Sequence, residues 1–273
     1  MSFLETFAEQ LARHPHKPLV IEVHGETTVP AEGGILADLV ARARGTLRER
    51  GVGPGDRVAL VAPNSIRWVA ADLACLFEGA VVVPLYDRQE PRELGEILAD
   101  CTPSLVVCAT DALAEGLAPH HDLPTLVFED LFGGLTTQGP PRPRDADDPV
   151  TIIYTSGTSG RAKGVVLTVR NVDFMLPQTR DALVAMMGPR STDDRVFHYL
   201  PFCFAGSRVV LWTCLLRGNP IHVSTDLENL VAELKTARPN YFLNVPMLLE
   251  RMKNGVEARL RERPTPIRLL YRR

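Results

Sequence analysis

The residues of this chain best suited to chemistry lie in one short run, YTSGTSGRAKGV at 154–165. Gly157, Gly160 and Gly164 are interspersed with four hydroxyl residues, Thr155, Ser156, Thr158 and Ser159, and Lys163 comes near the end of the run. Glycine lets the backbone turn tightly and bring its N–H groups against an anion. The hydroxyls supply further donors, and Lys163 adds a mobile positive charge. Together these residue types suit the grip of a phosphate chain. The run is not a Walker A loop, because Lys163 stands between Ala162 and Gly164 rather than in Gly-Lys-Ser/Thr. Nor is there a G-x-G-x-x-G opening a helix, so a dinucleotide fingerprint is absent. A plain surface turn seldom combines four hydroxyls with a closing lysine directly after an apolar strand.

The elements that must position this loop can be read from periodicity. Leu36, Leu39, Val40, Ala43 and Leu47 recur at helical spacing over 33–50, and GVGPGD (51–56) ends that helix. RVALVAP (57–63), VVVPL (81–85), SLVVCA (104–109) and TLVFED (125–130) read as strands. Asn64 and Ser65 offer caps for a helix running towards Phe77, and Pro91 suits the first turn of a helix over 91–100. Strands alternating with helices imply βαβ units and a largely parallel sheet.

The stretch TTQGPPRPRDADDP (136–149) is rich in proline and charge and has no apolar period, so a domain boundary is expected there. Residues 1–149 then form a first α/β subdomain with its linker, and 150–273 the start of a second. In the second, VTIIYT (150–155), VVLTV (165–169), RVFHYLPF (195–202), NPIHVS (219–224) and NYFLNVP (240–246) read as strands. LENLVAELKTARP (227–239) and the basic run 246–263 read as helices.

Bulk properties narrow the function class. The chain has 273 residues, 45% of them hydrophobic, and a net charge of -3, which gives no electrostatic pull towards nucleic acid. Five cysteines without a framework spacing suit a reducing cytoplasm better than a disulfide scaffold. The histidines show no HExxH spacing, and His14 and His16 flank a proline in a solvated setting. No G-x-S-x-G elbow announces a hydrolase. The basic face of 251–263 reads as solvated; as a membrane patch it would suit peripheral contact with a bilayer.

The 154–165 run resembles the phosphate-binding signature of the adenylate-forming superfamily, with Ala162 where the family usually has proline. FEGAVVVPLYDRQEPRELGEILADCTPSLVVC (77–108) and DDRVFHYLPFCFAGSRVV (193–210) are similar to further family stretches. PNYFLNVPMLLERMKNGVEARLRERPTPIRLLYRR (239–273) looks like long-chain fatty acyl-CoA synthetases. The resemblance implies the N-terminal part of that α/β fold, with the second subdomain incomplete. It implies a reaction in which a carboxylate attacks the α-phosphate of ATP and a thiol, CoA or a carrier protein, then takes the acyl group. Thr155, Ser156, Gly157, Thr158, Ser159, Gly160 and Lys163 would hold the β- and γ-phosphates, and Thr155 would contact magnesium. Phe204 stands where the family has a histidine or other aromatic between acyl pocket and nucleotide. It keeps the ring but loses the titratable nitrogens, so it can gate or line a pocket without moving protons. Arg208 matches a pocket arginine of long-chain members, with a structural role as the alternative. Val169 replaces a histidine the family often has before Asn171.

The family's later motifs for adenine, ribose and the adenylation lysine do not occur in these 273 residues. The catalytic residues are therefore expected beyond Arg273, and the chain is read as an N-terminal fragment, inactive alone. An incomplete sheet is expected to expose edges and favour oligomers. A non-catalytic nucleotide- or acyl-binding module is the rival reading, and an acyl-adenylate ligase serving a carrier protein a third.

Overall fold

The computed structural model describes residues 2–156, 162–188 and 194–244, and beyond them 249, 250, 253, 254 and 257. One compact unit runs to Tyr241 and a second covers Phe242–Arg273. The first opens with α1 (Phe3–Arg13) and an antiparallel pair, β1 (Pro18–His24) and β2 (Thr27–Glu32). There follow α2 (Gly33–Glu49), β3 (Arg57–Val61), α3 (Ile66–Phe77), β4 (Val81–Leu85), α4 (Pro91–Cys101), β5 (Leu105–Cys108), α5 (Asp111–Leu117), β6 (Thr125–Val127) and α6 (Phe128–Gly133). After the proline-rich stretch come β7 (Pro149–Ser156), β8 (Ala162–Thr168), α7 (Val169–Met187), β9 (Val196–His198), α8 (Ala205–Arg217), β10 (Ile221–Ser224) and α9 (Leu230–Ala237). β11 (Tyr241–Phe242) stands at the unit boundary.

The strands form two sheets. One has the order β6-β5-β3-β4-β7-β8, parallel except for the closing β7–β8 hairpin. In the other, β9, β10 and β1 are parallel and β2 is antiparallel at the edge. The α/β class expected from alternation is thus the one observed. β3 and β4 are buried nearly throughout, which is why they read as unbroken apolar runs. Between the sheets' elements lies α3, apolar on almost every face and touching α2, β3, β4 and β1. A helix hydrophobic all round belongs in a core.

α3 also buries a charge. Asp72 is wholly inaccessible and pairs with Arg208 of α8 at 2.5 Å, while Trp212 Nε1 donates to its other oxygen at 3.2 Å. The Arg208 guanidinium lies 4.5 Å from the Trp212 ring centroid and 5.5 Å from that of Trp68. Phe3 of α1 packs beside Trp212, so α1, α3 and α8 meet at this one polar point in an aromatic core.

The compact unit spans the stretch 136–149, where a boundary was expected, and strands from both sides of it share both sheets. The physical reason is electrostatic. Glu78, fully buried at the end of α3, accepts from Arg44 at 2.6 Å, Arg48 at 2.8 Å and Arg142 at 2.9 Å. Arg44 also donates to the carbonyls of Gly139 and Pro140, and Arg144 to those of Gly79, Ala80 and Pro149. Proline and charge here make a strap clamped to the first sheet rather than a free linker.

Smaller differences have local causes. Phe128, Glu129 and Asp130, expected to extend a strand, open α6, where the two acids suit a helix N-terminus. Val169 ends no strand; it is buried as the first residue of α7, capped by Thr168 and Asn171 in a reciprocal box. The edge strand β8 leaves Val165 and Val166 half exposed. In the second unit Lys253 lies 3.8 Å from Glu257, and most of the basic run 246–263 falls outside the described residues. Among the described residues no helix is long and apolar enough to cross a membrane.

Candidate functional site

In an open parallel α/β sheet, ligands gather beyond the carboxyl ends of the strands. β4 and β7 run parallel, so Thr155 and Ser156 at the end of β7 lie at the same end of the sheet as the Tyr86–Arg88 turn after β4. The hairpin then turns back into β8 with Thr155 opposite Lys163 and Ser156 opposite Ala162. Directly opposed residues on an antiparallel pair share a face, their Cβ atoms about 5 Å apart. The hydroxyl of Thr155 and the ammonium of Lys163 are therefore presented side by side, both on exposed positions. Among the described residues no carboxylate lies within ion-pair distance of Lys163. Gly157, Thr158, Ser159 and Gly160 fall outside the described residues.

Gly164 has a different task from the one its motif suggests. A Cβ there would meet Ile152 at 2.7 Å and the Tyr154 ring at 3.1 Å. The ring lies across the glycine on the facing strand, and its hydroxyl bonds to Asp100 of α4. Burial and the neighbouring Asp100 push the Tyr154 phenol upward, so it stays protonated. This clamp ties the turn end of the hairpin to α4.

The loops after β3, β4, β9 and β10 converge. Pro63, Asn64, Tyr86, Asp87, Arg88, Tyr199, Pro201, Ser224, Thr225 and Asp226 line a small cavity of about 40 Å³. Pockets that enclose drug-sized ligands run from roughly 300 Å³, so this cavity is too small to enclose one as it stands. Phe204, just before α8, is half exposed and its ring centre lies 6.3 Å from that of Tyr86, forming an aromatic pair at the rim. Burial raises the Asp87 carboxyl above its ordinary value, with Arg88 pulling the other way. His198 at the end of β9 is stacked on Phe202, and burial pushes its imidazole down to about 4. It is neutral near pH 7. A larger open depression of about 670 Å³ is walled by Glu26, Glu228, Lys235 and Arg238, and neither it nor the smaller cavity takes a lining residue from the β7–β8 hairpin.

Arg208 does not line this cavity. It is paired with Asp72 inside the core, which favours the structural of the two roles expected for it: its guanidinium is buried near two indole rings beside a buried carboxylate. Residue periodicity missed Tyr86, Asp87, Arg88, Tyr199 and Thr225. The available signal was their place immediately after strands, where a parallel sheet gathers its ligand contacts.

A family model described as AMP-binding enzyme matches residues 7–270. The chain belongs to the AMP-binding enzyme family. Long chain acyl-CoA synthetase 3 of Arabidopsis thaliana is 26% identical over 82% of this chain and 38% of its own. The probable non-canonical nonribosomal peptide synthetase CymA of Salinispora arenicola is 35% identical over 72% of this chain and 2% of its own. The N-terminal subdomain of Klebsiella oxytoca NpsA, solved with 3-hydroxyanthranilyl-AMSN, superposes with a TM-score of 0.75 at 22% identity. That match covers 88% of this chain and 59% of NpsA. The fold is thus that of the N-terminal subdomain of adenylate-forming ligases, as the sequence motifs implied. The chain spans about two fifths of the length of the curated acyl-CoA ligases it matches.

Proposed function

We propose that the chain carries the phosphate- and acid-binding part of an ATP-dependent carboxylate ligase that forms an acyl-adenylate and then a thioester with CoA, on a fatty acid. The observation that carries the reading is the pairing of Thr155 and Lys163 on one exposed face at the mouth of the hairpin, within a chain of the AMP-binding family. The fatty acid and CoA are supported by the likeness to long-chain acyl-CoA synthetases.

In this reading a carboxylate oxygen attacks the α-phosphorus, the bond to the bridging oxygen breaks, and pyrophosphate leaves. The attack needs a crowded set of negative oxygens held in line. Lys163 neutralises charge on the β- and γ-phosphates, Thr155 and Ser156 donate hydrogen bonds, and Gly157–Gly160 let backbone N–H groups close around the chain. The Thr155 hydroxyl would be the protein ligand of the magnesium that accompanies ATP, which would supply further charge neutralisation. The donor fits that arrangement: Thr155 offers an exposed hydroxyl oxygen beside Lys163, and magnesium takes oxygen ligands. The thiol sulfur then attacks the acyl carbonyl and AMP departs as the thiol proton is lost. Phe204 and Tyr86 would flank the acid's path.

Calorimetry with magnesium and ATP tests the loop. Lys163→Ala should weaken binding about tenfold to a hundredfold, the worth of one charged hydrogen bond. Equal affinity of variant and parent would remove the loop from the site. Similarity to a nonribosomal peptide synthetase favours a second acceptor, the thiol of a carrier protein in place of CoA.

A further inference from the structure

Asn64 stands between β3 and α3, where its residue type suggested a helix cap. The cap is Ser65 alone, whose Oγ accepts from the Trp68 N–H at 3.0 Å. The Asn64 amide reaches a distant turn instead. Its Nδ2 donates to the Leu200 carbonyl at 2.8 Å, and its Oδ1 accepts from the Phe202 N–H at 2.8 Å. The turn so bracketed continues directly into Phe204, whose N–H bonds to the Pro201 carbonyl at 3.1 Å and whose carbonyl starts α8 by accepting from Arg208. Phe202 is locked between Trp68 and His198, at ring separations of 4.9 and 5.2 Å.

The same short segment grips the opposite side. The Ile66 N–H donates to Glu22 at 2.7 Å, Glu22 meets His24 at 3.1 Å, and His24 lies 3.0 Å from the Thr225 hydroxyl. Asn64 directly, and Ile66 through Glu22 and His24, therefore tie the turn after β9 and the turn after β10 to one helix start. Asn64, Pro201, Tyr86 and Thr225 line the same cavity. The bracket needs one donor and one acceptor on one short planar group, which an amide has and a carboxylate lacks.

We propose that Asn64 is a positioning residue for acid binding: by bracketing Leu200 and Phe202 it places Phe204 opposite Tyr86 and so sets the entrance to the cavity. This rests on the reading of the chain as an acid-activating ligase. The test is a double-mutant cycle on the intact protein, with Asn64→Ala, Phe204→Ala and the pair. Asn64→Ala should raise KM for the acid about tenfold, the loss of roughly one net hydrogen bond, and leave KM for ATP within about twofold. In the Phe204→Ala background it should add almost nothing, because the ring it places is gone. Asn64→Asp should not restore KM, since it offers Leu200 no donor. Additive effects would overturn the proposal.

A second readout does not depend on turnover. With labelled phenylalanine and tyrosine, nuclear Overhauser cross-peaks between the Tyr86 and Phe204 rings should be present in the parent chain and absent from Asn64→Ala, while unfolding stays cooperative. Cross-peaks that persist in Asn64→Ala would overturn the proposal. If they vanish in the variant but the parent activates no acid, the ligase reading fails and Asn64 stands as the residue that sets the turn.

Discussion

Replacing Glu78 by glutamine should cost the fold about 3 kcal/mol, and the figure follows from who holds the carboxylate. Its side chain is completely buried and accepts three short bonds, from Arg44, Arg48 and Arg142. Removing one partner of a buried pair typically costs about 3–5 kcal/mol. Only Arg44 is itself buried, at 4% exposure; Arg48 and Arg142 are 41% and 39% exposed. Solvent screens those two pairs to less than about 1 kcal/mol each. The loss is therefore dominated by Arg44 and sits near the lower end of the range. In a unit of this size 1 kcal/mol moves the midpoint by about 2–4 °C, so Glu78→Gln should melt roughly 6–12 °C below the parent.

Circular dichroism melts measure it, and limited trypsinolysis adds a local signature, because a released strap exposes the bond after Arg144. The pH dependence has a definite sign. Burial alone would raise the Glu78 carboxyl, but the hydrogen bonds and charges of the three arginines outweigh it and hold it below its ordinary range. The contribution is present in full above the unfolded value near 4.5 and is lost as pH falls through the folded one. The gap between parent and Glu78→Gln should thus close in acid. A shift under about 1 °C at pH 7, or a gap that widens in acid, would refute the account of the strap.

Three further outcomes follow from the same packing. Arg208→Ala should destabilise by about 3–5 kcal/mol by stranding Asp72, and Arg208→Lys should recover only part, since lysine cannot lie flat between Trp68 and Trp212; denaturant midpoints decide it. Gly45→Ala should lower the yield of folded protein or its melting point, because a Cβ on that face of α2 collides with the Leu135 carbonyl. Phe204→Ala should leave ATP binding unchanged in calorimetry while raising KM for the acid, since its ring pairs with Tyr86 of the cavity wall and carries no group that could bond a phosphate.

How much of this was legible in the residues depends on range. β3, β4 and β5 stood out because central parallel strands are apolar on both faces, and α4 because Pro91 marks its first turn. The run 154–165 stood out because its glycines, hydroxyls and lysine are contiguous. What stayed hidden is long-range. Glu78 and Arg142 are 64 residues apart, Asn64 and Phe202 138, and β1 pairs with β10 from the other end of the unit. A lone glutamate in an apolar stretch and an arginine between prolines give no sign that they meet. Arg208 stayed open between a pocket and a structural role for the same reason: its position in a motif was visible, and the buried carboxylate opposite it was not.

The central claim is carboxylate activation at the phosphate of ATP, and the most direct measurement is ATP–pyrophosphate exchange by the intact protein across a panel of carboxylic acids of increasing chain length. The account predicts exchange that requires both acid and magnesium, is greatest with long-chain acids, and falls at least about tenfold in Lys163→Ala. Exchange indifferent to added acid, or cleavage of ATP to ADP and phosphate, would contradict it.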